Sequence, residues 1–208
     1  MNNDTHKRRL IAELINREGG FVDHPADRGG PTCWGITLAV ARAHGYSGDM
    51  RAMSREVAAR IYSGLYWDSL RLDDIAKVST ALVEYLFDFG VNSGPGRAAK
   101  TLQRLLNVLN DRGRHYADIT VDGAIGQQTL TALRSFTEAR GTGGLHVLAE
   151  AFNAERIAFC CSLAERSPSQ EAFAFGWFRR VVELAENVRK AKPVPAHWLS
   201  SVEIKGAV

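Results

Sequence analysis

Glu18 follows Leu10 by eight residues, Leu14 by four and Ile15 by three. It therefore continues the apolar stripe of a helix predicted over residues 5–18. A carboxyl placed there is expected to be partly desolvated, which disfavours its charged form. That raises the pKa from about 4.3 towards what a general acid needs near neutral pH. The same position also suits a structural role, with the carboxylate bonded to loop amides or paired with Arg17 or Arg28. Nine residues on, Asp27 lies in a glycine-rich loop, followed by Thr32 and Thr37. A carboxyl at a helix end, facing a second one across a cleft, supplies the two roles that glycosidic hydrolysis requires. One protonates the leaving oxygen; the other is base or stabiliser. Taken alone, Asp27 equally fits a turn residue bonding its own backbone.

Other chemistries are poorly served. His24 has no second histidine at ligand spacing, and those at 6, 44, 115, 146 and 197 are scattered, so no zinc or other metal site is expected. The chain contains no GxSxG, no GxxxxGK[ST] and no GxGxxG. Cys33, Cys160 and Cys161 are an odd number, two of them adjacent, which implies no disulfide framework; Cys33 reads as a core filler. The 208 residues, 45% apolar and 24% charged, suit one or two compact domains. The net charge of +3, carried mostly by arginine, fits a polyanionic partner, but no basic block marks a nucleic-acid-binding face. No apolar run reaches 18 residues, and MNNDTHKRRL holds no signal-peptide core. The expectation is synthesis in the cytoplasm without a signal peptide and no membrane insertion.

Mostly helical elements must hold these residues in place. After the first helix, Gly19-Gly20 opens an irregular loop leading into a short hairpin near Thr32–Thr37. Helices are predicted from Thr37 to Gly45, after the cap Ser54 with Val57, Ile61, Tyr62 and Leu65 inward, and from Ser79 to Gly90. Pro95 is suited to the first turn of a helix with the stripe Ala98, Leu102, Leu105, Leu106 and Leu109. A turn-rich stretch, 111–126, precedes a helix at 127–136. A loop with Gly141, Gly143 and Gly144 leads to helices at 146–166 and 170–191. Asn92, beside a Gly-Pro-Gly turn, is either a glycan-binding amide or a helix cap. Trp34, Tyr62, Tyr66 and Trp67 are candidates for stacking on sugar rings, Trp34 foremost.

The stretch EGGFVDHPADRGGPTCWGIT (Glu18 to Thr37) resembles the N-terminal signature of the glycoside hydrolase family 108 muramidases, lysozyme-like enzymes of phage lysis cassettes and bacterial secretion loci. FDFGVNSGPGRAAKTLQRLLN (Phe87 to Asn107) and DGAIGQQTL (Asp122 to Leu130) resemble the predicted peptidoglycan-binding region that follows in that family. FGWFRRV (Phe175 to Val181) resembles its closing helix. The resemblance spans about residues 8–190. On it, the family's catalytic glutamate falls on Glu18. The order in phage-type lysozymes, glutamate, then aspartate nine residues later, then threonine, is met by Glu18, Asp27 and Thr32. DHPADRGG also offers Asp23, and Arg28 directly follows Asp27, so the second carboxylate stays open.

The resemblance implies a mainly α, lysozyme-like fold with a small β-hairpin lobe and a cleft beside it. It implies a catalytic region at 1–90, a helical peptidoglycan-binding region at 91–192 within the same unit, and a tail at 193–208. The implied activity is hydrolysis of the β-1,4 bond between N-acetylmuramic acid and N-acetylglucosamine, with Glu18 as acid and no cofactor. Trp34, Tyr66 and Asn92 would bind substrate. The implied partner is the peptidoglycan glycan strand, reached in the periplasm or cell wall through a holin or secretion system, with no nucleic acid involved. If Asp27 and Thr32 hold a water across the cleft, the carboxyls should stand ~6.5–9.5 Å apart and the reaction should invert. A catalytically inactive peptidoglycan-binding protein of the same fold is the alternative, and an acid at Glu18 separates the two.

Overall fold

The fold is that of a computed structural model, in which residues 3–22 and 30–191 are described. The chain divides into two compact units, Met1–Asp73 and Asp74–Val208.

In the first unit, helix α1 (Asn3–Glu18) buries His6, Leu10, Ile11, Leu14 and Ile15 on one stripe. Gly19, at φ +77°, supplies the left-handed residue that ends it. The expected hairpin is present as β2 (Thr32–Cys33) and β3 (Ile36–Thr37), and β1 (Phe21–Val22) adds a third antiparallel strand in the order β1-β2-β3. The register pairs Phe21 with Cys33, Val22 with Thr32, Thr32 with Thr37 and Cys33 with Ile36. Cys33 and Ile36 point into the core. Thr37 caps α2 (Leu38–Ala43), its hydroxyl accepting from the Val40 amide at 3.3 Å. Ser54 caps α3 (Arg55–Tyr62) by the same contact to Val57. The helix then widens into a π-helical turn over Ser63–Asp68, which turns Trp67 fully into the core.

Helix α4 (Leu72–Ala76) carries the chain into the second unit. There α5 (Thr80–Ser93) starts at the Ser79 cap and runs past Gly90, which is buried inside it. A helical glycine costs about 1 kcal/mol against alanine, a penalty that packing overrides here. The helix ends instead at Gly94, where φ is +87°. Pro95 opens α6 (Pro95–Val108) at the first helical positions, and Ala98, Leu102 and Leu106 form its buried stripe.

The expected break between two helices is present but tighter than a three-glycine loop. Within Gln127–Arg166 (α7) two helical segments meet in a kink at one non-helical residue, Gly141, at φ 61° and ψ −160°. Gly144 sits so close to Arg140 that an added Cβ would lie 2.1 Å from the arginine Cβ, which makes the tight corner dependent on glycine. A short turn at Pro168–Gln170 leads to α8 (Glu171–Ala191). The core of this unit joins Tyr85, Leu86 and Phe89 to Phe136, Leu148 and Phe152, with Phe89 edge-on to Phe152 and to Phe159 at 5.9 and 5.6 Å. Among the described residues, eight α-helices and one small antiparallel sheet give the mainly α, lysozyme-like class that the resemblance implies.

Candidate active site

Helix α1 anchors Glu18 through the buried Leu14 and Ile15, one turn before it, and then stops at Gly19. The side chain is exposed. The desolvation expected from the stripe is not found, because the last turn runs out past the edge of the core. What it meets is the two-residue turn between β2 and β3. Trp34 (φ 53°) and Gly35 (φ 75°) both take left-handed conformations, as a tight hairpin of this length requires. For glycine that conformation is ordinary. For tryptophan it is costly, and it is held by four contacts. The Trp34 carbonyl accepts from the Tyr62 hydroxyl at 2.6 Å, its Nε1 donates to the Met53 carbonyl at 2.9 Å, and its amide donates to the Gly20 carbonyl at 3.4 Å. The Arg55 guanidinium lies 5.1 Å from its ring centroid, and Arg55 also donates to Asn16 on α1.

Gly35 is where the turn touches the acid. A Cβ at that position would stand 2.7 Å from Glu18 Oε2, 2.9 Å from Glu18 Cβ and 2.8 Å from the Tyr62 hydroxyl. Only a residue without a side chain lets the turn approach this closely. Tyr62 and Tyr66 stack at 6.0 Å. Burial first, and then the Glu18 charge, push both phenols above their ordinary range, so both are neutral hydroxyls at physiological pH. The site is thus an exposed carboxyl at a helix end, walled by a clamped tryptophan and two protonated tyrosines.

The remaining sequence candidates separate. Thr32, half-buried on β2, shares the sheet with the turn. Asp23, His24, Asp27 and Arg28 lie outside the described residues. Tyr66 is half-buried and Tyr62 is buried, its hydroxyl spent on Trp34. Trp67 is fully enclosed and cannot stack on a sugar, because the π-helical turn rotates it inward. Asn92 belongs to the second unit, where it is exposed and donates to the Asp88 carbonyl at 2.5 Å instead of capping α6. The cap position of α6 is Gly94. Asp122 accepts from the Ala124 amide and from Gln103, both at 2.8 Å, and Gln103 Oε1 accepts from the Gly123 amide at 2.9 Å. The DGAIGQQTL turn is therefore tied to α6 by one buried glutamine. Among the described residues no group of histidine, cysteine, aspartate and glutamate side chains is placed to hold a metal ion, and no helix is long and apolar enough to cross a membrane.

Sequence reasoning missed Gly35 as a site residue and Tyr62 as the clamp. The available signal was the Trp-Gly pair between two strand-like dipeptides, which specifies a two-residue turn but not what it touches.

Comparison with known proteins agrees with this layout. Residues 11–94 match the family described as glycosyl hydrolase 108, and residues 97–182 match the family described as predicted peptidoglycan domain. No curated protein sequence matches the chain. Among solved structures it is similar to Brucella abortus SagA, 26% identical, with 93% of this chain and 99% of that chain covered and a TM-score of 0.63.

Proposed function

We propose that this chain, whose residues 11–94 match glycosyl hydrolase 108 and whose residues 97–182 match a predicted peptidoglycan domain, is a peptidoglycan hydrolase, an N-acetylmuramidase with Glu18 as general acid. The observation that carries the reading is the approach of the Trp34-Gly35 turn to Glu18. The turn carries Cys33 and Ile36 into the core and also presses its strained, four-way-clamped backbone against an exposed carboxyl, which fixes the position of an acid. Glu18 donates its proton to the glycosidic oxygen between N-acetylmuramic acid and N-acetylglucosamine. Asp27, with Thr32, is assigned the water on the opposite face, which makes the reaction inverting. Trp34 and Tyr66 offer ring faces to the sugar. The inactive-binder alternative gives no account of why Gly35 should crowd a carboxyl.

The test is clearance of purified cell walls by wild type and Glu18→Gln. The amide keeps the shape and cannot donate the proton, so lysis should fall by several orders of magnitude with Tm unchanged, Glu18 being exposed. Residual activity above about a tenth of wild type, ~1.4 kcal/mol of transition-state stabilisation, overturns the assignment. Among Asp23, Asp27 and Thr32, substitution of Asp27 should be the most damaging and of Asp23 the least. NMR of the first-formed muramic-acid reducing end should show the α-anomer; an initial β-anomer overturns the inverting scheme while leaving Glu18 as the acid.

A further inference from the structure

The second unit holds a cavity of about 140 Å³ that the hydrolytic reading does not use. Three helices line it, each at one-turn spacing: Asp88 and Asn92 of α5, Arg156 and Cys160 of α7, Trp177 and Arg180 of α8, with Phe89, Leu163 and Val181 completing an apolar wall. Its polar side is built around Asp88. Oδ1 accepts from Arg180 Nε at 2.9 Å and Nη2 at 2.6 Å, and Oδ2 accepts from Arg156. Arg156 is 2% exposed and Nη1 donates to Asn153 at 3.0 Å.

Two guanidinium groups against one carboxylate leave one positive charge in excess. They also leave donors over. Arg156 Nε is buried and has no acceptor among the described residues, and Arg180 Nη1 takes part in none of the bonds to Asp88. Burial holds Arg156 below its ordinary pKa and the neighbouring Asp88 opposes the shift. Burial also pushes the Cys160 thiol up, so it stays neutral and does not cancel the excess charge. Arg180, whose side chain is 32% exposed, is the guanidinium that a ligand acceptor can reach, while Arg156 holds the buried positive charge behind it. A built, net-positive pocket with surplus guanidinium donors recognises an anion, and guanidinium is best matched by a planar carboxylate. The volume is enough for a carboxylate carried on one small residue. The apolar wall of Leu163, Val181 and Trp177 suits a methyl side chain.

We propose that this cavity binds the terminal carboxylate of a peptidoglycan stem peptide, a D-alanine-like end group, so that the second unit reads the peptide while the first cleaves the glycan. The assignment rests on the peptidoglycan reading above. The probe is N-acetyl-D-alanyl-D-alanine, added to the full-length protein and followed by NMR on the arginine Nε–H resonances and by calorimetry. The dipeptide should shift the Arg156 and Arg180 signals and bind saturably. Its C-terminal carboxamide should bind at least tenfold more weakly. Arg180→Gln should weaken dipeptide binding by at least tenfold, and Ser93→Ala, at the rim of the same cavity, should keep the carboxylate preference. The Glu18→Gln protein should bind as wild type does, so that a failed hydrolytic assignment leaves this result standing. Equal binding of acid and carboxamide, arginine signals that do not move, or equally tight binding of N-acetylglucosamine, which has no carboxylate, overturns the proposal. The comparison of acid with carboxamide uses wild-type protein and so does not depend on whether a variant folds.

Discussion

Gly35→Ala adds one methyl group at the point where the β2–β3 turn meets the acid. Two costs can be separated. Gly35 has φ 75°, and a left-handed conformation costs an L-residue ~1–2 kcal/mol. The new Cβ would also lie 2.7–2.9 Å from three atoms of Glu18 and Tyr62, against the ~3.5–4.0 Å of a relaxed carbon contact. Glu18 Oε2 can swing aside, but Glu18 Cβ is fixed by the helix and the Tyr62 hydroxyl by its bond to Trp34. Overpacking of that kind adds ~1–3 kcal/mol, for a total of ~2–5 kcal/mol. Gly45 supplies the control. Its φ is +79° and nothing lies within 4 Å of an added Cβ, so Gly45→Ala incurs the backbone cost alone, ~1–2 kcal/mol. Urea unfolding should therefore place Gly35→Ala below Gly45→Ala by ~1–3 kcal/mol. At a saturating level of folded protein, wall clearance should fall ~100-fold for Gly35→Ala, the cost of misplacing a reacting group by about an ångström, and stay at wild type for Gly45→Ala. Equal stability and equal activity of the two variants would refute the claim that Gly35 is needed for the turn to approach Glu18.

Tyr85 is fully buried with a hydroxyl that has no partner among the described residues. Tyr85→Phe should leave stability unchanged or raise it by ~1 kcal/mol in thermal unfolding. Burial pushes Tyr85 up to about 12, and it does the same to Tyr116. A folded pKa raised above the unfolded value of about 10 gives stability that is complete below pH ~10 and lost as pH rises to ~12. Tyr85→Phe should shrink that alkaline loss, and Tyr62, Tyr66 and Tyr116 should keep the remainder. Asp88→Asn leaves the guanidinium of Arg156 buried without its counter-charge, so urea unfolding should show a loss of ~3–5 kcal/mol. Gln103→Leu removes the side chain that bonds Asp122, Gly123, Ala124 and Thr129, leaving the buried Thr129 hydroxyl and the half-buried Gly123 amide without that partner. It should cost ~2–3 kcal/mol and speed hydrogen exchange at the Gly123 amide.

Local chemistry determined much of this protein from sequence alone. The stripe of α1, the helix starts at Thr37 and Ser79, the Ser54 cap and Pro95 at the start of α6 each depend on contacts within about a turn, and all were legible. So was the Glu18-containing signature, because it is contiguous. Where the local signal and the packing disagreed, packing prevailed. Gly90 reads as a stop signal and lies inside a helix. The three glycines after Arg140 read as a loop and form a single corner. Glu18 reads as buried by its spacing and is exposed, because periodicity tells which face a residue occupies but not where along the helix the core ends. The three-helix arrangement around Asp88 had no sequence signal at all. Asp88, Arg156 and Arg180 are 68 and 92 residues apart, and each is ordinary in its own helix. Likewise nothing in the run Cys-Trp-Gly-Ile-Thr reveals that the turn stands against Glu18 and Tyr62. Such contacts are set by how whole helices and strands dock, and docking is decided by the sum of many buried surfaces rather than by any short run of residues.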